Sequence, residues 1–147
     1  MIASHAAVLF VGYLAFFIAV VTGLLFLIQE RRLKLKSPKL FASPAIPLEV
    51  LDRANLLSLI VGFALFTFGA FQGLLLARHN WGAYFTADPK EIWSGLTWGA
   101  YATLLVLRLA RGFRGRRMIL LSVMSFILVI FTFVGVNYLV GGKHVFF

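Results

Sequence analysis

A chain of 147 residues in which 61% are hydrophobic and only 13% charged is too apolar for a soluble domain of this size and reads as an integral membrane protein. Its net charge of +9 raises nucleic acid as a partner, a reading that only the placement of the charge can decide. The absence of cysteine excludes structural disulfides, thiolate metal sites and the Cys-x-x-Cys-His attachment of haem.

Four uncharged runs, at 6–28, 56–77, 92–107 and 118–140, approach or exceed the roughly 20 residues that cross the hydrocarbon at about 1.5 Å rise each. They predict an all-α integral membrane protein, a single four-helix membrane domain over 1–147, with transmembrane helices at about 6–28, 54–77, 89–108 and 117–140. The first run has no basic stretch before it and, at 23 residues, exceeds the apolar core of a cleaved signal, so a retained helix is expected. The linker 29–53 follows, where Pro38, Pro44 and Pro47 block helix continuation.

In the second helix, Gly69 and Gly73 form a G-x-x-x-G that lets a neighbouring backbone come close. Gln72 beside them, and Asn137 in the fourth helix, are expected to bond to neighbouring helices rather than to a substrate. After the loop 78–92, Asp88-Pro89-Lys90-Glu91 opens the third helix with an N-cap residue, proline at the first position and glutamate at the third. That helix is short, and Arg108 is expected to snorkel from its far end.

Charge placement sets sidedness. Of the 14 basic residues, six (Arg31, Arg32, Lys34, Lys36, Lys39, Arg53) lie between the first two helices and five (Arg108, Arg111, Arg114, Arg116, Arg117) between the last two. The positive-inside rule makes those loops cytoplasmic. Both termini and the Trp-rich loop are then expected on the extracytoplasmic side. Topology and anionic lipid account for the basic charge, and no nucleic-acid role is expected.

The three histidines, His5, His79 and His144, all fall at the outer boundary. An even number of antiparallel crossings allows His5 and His144 to meet above the bundle, beside the loop that carries all three tryptophans. Two neutral imidazoles over an aromatic surface suit haem, with Arg78, Lys90 and Lys143 available to its propionates. The plain alternative is an interfacial aromatic belt with solvated histidines. Zinc fits less well, since the histidines lack a carboxylate at helical spacing. No Walker loop, H-E-x-x-H, G-x-S-x-G or carboxylate within a span offers other chemistry.

Trp81-Gly82-Ala83-Tyr84, Asp88-Pro89-Lys90-Glu91-Ile92-Trp93 and Leu96-Thr97-Trp98 resemble the tryptophan-rich signature of the cytochrome c assembly family, roughly W-G-x-[YF]-W-x-W-D-P-K-E-x-W-x-x-[IL]-T-W. The segments Gly135-Val136-Asn137-Tyr138-Leu139 and Gly142-Lys143-His144 are similar to the family's ending. Ser4-His5-Ala6, leading to Gly12-Tyr13, resembles the segment that carries its other external histidine.

The resemblance implies haem b held at the outer face of the plasma (inner) membrane and presented for cytochrome c maturation. It implies His5 and His144 as axial ligands, Trp81, Tyr84, Trp93 and Trp98 as an aromatic platform, and Asp88 as the residue that fixes the loop. Phe85 and Ala87 stand where the family usually has tryptophan, so the platform is reduced. The implied partners are haem, the bilayer, another integral membrane subunit and apocytochrome c; the chain is expected as a carrier rather than an enzyme by itself. The alternative is a haem-carrying electron-transfer subunit, or a HemX-like regulatory or structural subunit, of a larger membrane complex. Reduction of the haem by a quinol would mark the alternative, and transfer to apocytochrome c the first reading.

Overall fold

A computed structural model describes residues 2–35, 46–112, 115–132, 134 and 135. They form four α-helices: α1 (Ile2–Lys34), α2 (Leu48–Trp81), α3 (Pro89–Ala110) and α4 (Arg116–Ile130). From Ile130 the last helix widens into a π-type turn through residues 131, 132, 134 and 135.

α1 runs past the uncharged stretch into Glu30-Arg31-Arg32, because these are good helix formers and Glu30 holds Lys34 at 3.5 Å, one turn on. α2 starts directly after Pro47, whose carbonyl accepts the N–H groups of Val50 and Leu51 at 3.1 and 3.2 Å. It ends at Gly82, whose left-handed conformation (φ 73°) turns its N–H onto the Arg78 carbonyl. α1 and α2 have 33 and 34 residues, about 50 Å each at 1.5 Å per residue. Both are long and apolar enough to cross a membrane. Phe10, Phe17, Phe68, Phe71, Val106, Leu109, Met124 and Ile127 are each more than half exposed, an apolar exterior suited to lipid.

α1 and α2 are antiparallel and very close. A Cβ at Gly62 would lie 2.7 Å from the Phe16 ring, and one at Gly69 2.5 Å from Leu9. The Gly69–Gly73 pair thus meets α1, with Leu9 and His5 set against the bare backbone. The core continues with Phe16 stacked on Tyr101 of α3 at 4.0 Å, and with Leu59, Phe66, Leu104, Met118 and Val129 around them.

Arg108 departs from the snorkelling expected of it. It is buried, and its guanidinium donates to Asn55 Oδ1 at 2.5 Å, Asp52 Oδ1 at 2.8 Å and the Asp52 carbonyl at 3.2 Å. Asn55 in turn donates to the Ala19 carbonyl at 2.7 Å and to Ser122 Oγ at 3.3 Å. One polar network therefore ties all four helices together. The reason is spacing: Asp52 and Asn55 lie three residues apart on one face of α2 and offer more acceptors than the interface does. Gln72 Oε1 is buried with no hydrogen-bond partner among the described residues, and Asn137 lies outside them.

Among the described residues, Arg31, Arg32, Lys34, Arg53, Arg108, Arg111, Arg116 and Arg117 gather toward the end of the bundle where α1 and α3 finish and α2 and α4 begin. There Arg116 reaches Glu30 at 3.3 Å. The loop between α2 and α3 lies at the other end.

Candidate functional site

The loop from Gly82 to Asp88 is pinned by its own polar residues. Glu91, in the first turn of α3, accepts the Thr86 N–H at 2.8 Å and the Thr86 hydroxyl at 3.0 Å. The carboxylate so satisfies loop donors further back than a capping box would. Asp88 is buried at the helix start, and its carbonyl accepts the Ile92 N–H at 3.2 Å. Ala87 between them has φ +54°, a left-handed conformation that costs a side-chain-bearing residue about 1 kcal/mol. The Glu91 and Asp88 anchors hold it there.

Beside this loop, α1, α2 and α3 line an open-sided apolar cavity of about 640 Å³, its wall including His5, Tyr13, Phe66, Trp81, Phe85 and Trp98. Asn80 and Glu91 add polar groups to the wall at the loop end. That volume and lining fall within the range of cofactor pockets. Trp98 is fixed on both sides: its indole N–H donates to Thr67 Oγ1 at 3.0 Å, and its ring meets Phe63 at 5.5 Å. His5 Nδ1 lies 2.9 Å from the Gly69 carbonyl oxygen.

Of the residues singled out in the sequence, His5, Trp81 and Trp98 share this wall. Trp93 packs instead on Phe131 of α4, ring centroids 4.6 Å apart. It lies beside Thr97, whose hydroxyl meets Thr132 of α4 at 3.3 Å. Tyr84 sits outside the wall under Arg78, which donates to its hydroxyl and lies 4.5 Å above its ring. His79 is exposed at the end of α2. His144 and Lys143 lie outside the described residues, as does the Lys90 side chain.

The wall also holds residues that sequence reasoning did not single out for it: Phe66, Thr67, Gly73 and Glu91. The signal for Gly73 was present in the G-x-x-x-G. Phe85, read as a reduction of the platform, is itself an aromatic part of the wall.

The fold and site define a helical membrane protein in which one imidazole and two indoles line an apolar, aromatic-walled cavity of the size of a small-molecule pocket. Residues 1–144 match the family described as Cytochrome C assembly protein, and the chain belongs to that family. It is 41% identical over 96 residues to the cytochrome c biogenesis protein CcsA of Prochlorococcus marinus (strain MIT 9312), an alignment that covers 65% of this chain and 31% of the relative. Identity to the cytochrome c biogenesis protein CcsA of Gloeobacter violaceus (strain ATCC 29082 / PCC 7421) is also 41% over 96 residues, covering 65% of this chain and 28% of that one. The alignments thus span less than a third of these relatives' length. No solved structure matches the chain.

Proposed function

We propose that the chain holds haem b at the outer face of the plasma membrane and presents it for cytochrome c maturation. The observation that carries this reading is the position of His5, a histidine in the wall of an aromatic-lined cavity with Nδ1 engaged by a backbone carbonyl. The fit is chemical: an imidazole suits the iron, and the Trp81, Trp98 and Phe85 rings suit a flat apolar macrocycle.

Bound haem would supply an iron able to change its protein ligands, and His5 and His144 would be the residues that hold it. Trp81 and Trp98 would flank the ring, and Phe66 and Tyr13 would keep water from its buried edge. Trp93, Tyr84 and Asp88 would act from outside the cavity, by fixing α3 against α4 and by holding the loop. Arg78, stacked on Tyr84 at the same end, is a cation among the described residues that could serve a propionate.

Membrane topology follows the charge. Arg31, Arg32, Lys34, Arg53, Arg111, Arg116 and Arg117 lie toward the helix ends opposite the cavity, which supports four crossings with both termini and the Trp-rich loop extracytoplasmic. Another integral membrane subunit and apocytochrome c are proposed as partners, the second because the relatives this chain resembles are named cytochrome c biogenesis proteins.

The test is an absorption spectrum of detergent-purified protein. The haem reading expects a Soret band that His5→Gly and His144→Gly each diminish and that added imidazole restores. Protein that shows no Soret band after haem is supplied would refute it.

A further inference from the structure

His5 is held more specifically than a histidine that fills space at a helix terminus. Its Nδ1 stands 2.9 Å from the Gly69 carbonyl oxygen. A carbonyl can only accept, so Nδ1 carries the proton and the neutral ring has its lone pair on Nε2. In water, neutral imidazole side chains favour the opposite tautomer, and this contact selects against it.

The seat for the ring comes from Gly73. A Cβ at that position would stand 3.0 Å from His5 Cε1 and 3.7 Å from each ring nitrogen. One turn away on α2, a Cβ at Gly69 would lie 2.5 Å from the Leu9 side chain, which would have to move for α1 to keep the approach that brings His5 to the carbonyl. The two glycines divide the task. Gly69 admits α1 and supplies the acceptor, while Gly73 leaves room for the imidazole.

We propose, resting on the haem reading above, that the Gly69 carbonyl and Gly73 are positioning groups for an axial ligand. They fix His5 as the Nδ1–H tautomer and set its height in the cavity wall, so that Nε2 is the nitrogen offered to iron. A carbonyl that accepts from Nδ1–H also makes Nε2 a stronger donor.

The experiment compares the unsubstituted protein, Gly73→Ala, His5→Gly and, as a control, Gly99→Ala, where an added Cβ meets nothing within 4 Å. Haem is titrated into each purified protein, and affinity and reduction potential are read. Separately, histidine labelled with ¹⁵N reports the His5 tautomer in haem-free protein at about pH 8.5, roughly two pH units above the reference imidazole value. Gly73→Ala is expected to lower haem affinity about 10- to 100-fold and to raise the potential, because a weaker donor favours the ferrous state. Gly99→Ala is expected to change neither, and the label should report Nδ1–H.

Gly73→Ala binding haem like Gly99→Ala at an unchanged potential overturns the proposal, and so does an Nε2–H tautomer in the unsubstituted protein. If Gly73→Ala does not fold, the tautomer decides. Should His5→Gly itself leave haem binding unchanged, the ligand reading fails and takes this inference with it. Should His5→Gly abolish binding while Gly73→Ala matches the control, only the positioning role fails.

Discussion

Asn55 stands between Arg108 and Ala19, accepting from the guanidinium at 2.5 Å and donating to the carbonyl at 2.7 Å. It is fully buried, so neither bond is shared with water. Asn55→Leu removes an acceptor from a buried cation and is expected to cost about 2 kcal/mol of stability, within the range for hydrogen bonds to charged groups. Thermal unfolding in detergent checks this, and a melting temperature equal to that of the unsubstituted protein would contradict the network's role.

The α1–α2 contact makes a second prediction. Gly62→Ala places a methyl group 2.7 Å from the Phe16 ring, and overpacking of that kind costs about 1–3 kcal/mol. Gly99→Ala, with open space around it, is expected to gain up to about 1 kcal/mol from helix propensity. Opposite signs in the same unfolding assay are the expected result.

Trp98 is a cavity wall held by Thr67. Trp98→Leu keeps an apolar group but removes the ring, and loss of an aromatic contact worth about 1 kcal/mol is expected to weaken haem binding roughly fivefold. Thr67→Val leaves the ring present and unanchored, so the loss should be smaller. Haem titration of both variants, giving the reverse order, would show that the indole is not a wall of the site.

Glu91 carries both side-chain anchors of Thr86. Glu91→Ala is expected to speed amide hydrogen exchange across residues 83–88, with stability lowered by about 1–2 kcal/mol. Exchange mass spectrometry of that loop reads it directly. Unchanged protection at Thr86 would mean the loop is held by other contacts.

Sidedness can be read with single cysteines, since the chain has none of its own. Ala83→Cys is expected to react with a membrane-impermeant maleimide in intact cells, and Leu35→Cys only after permeabilisation. Both positions are exposed, so the reverse pattern would invert the topology.

The helices were legible because lipid imposes long uncharged runs and because prolines and charges punctuate them. The G-x-x-x-G was legible as a place of close approach, but nothing in spacing says which helix arrives or that His5 rides on it. Arg108 shows the limit more plainly. Its acceptors, Asp52 and Asn55, belong to another helix, and only the packed bundle brings them within reach. The aromatic cluster reads as one shelf along the sequence, yet Trp93 and Trp98 are five residues apart on α3, about 140° around its axis. A single helix cannot turn both into one cavity, and they serve different neighbours. His144 falls outside the described residues, so its place rests on the family resemblance.

The glycine seats along α2 make the register of α1 discrete. Phe16, Leu9 and His5 each occupy a gap where a neighbour has no side chain, and sliding α1 by one residue, about 1.5 Å, would drive these groups onto occupied positions. Intermediate settings are thereby closed off. The position of the imidazole along the bundle axis is consequently a step function of helix registry, indifferent to small adjustments in the connecting loops.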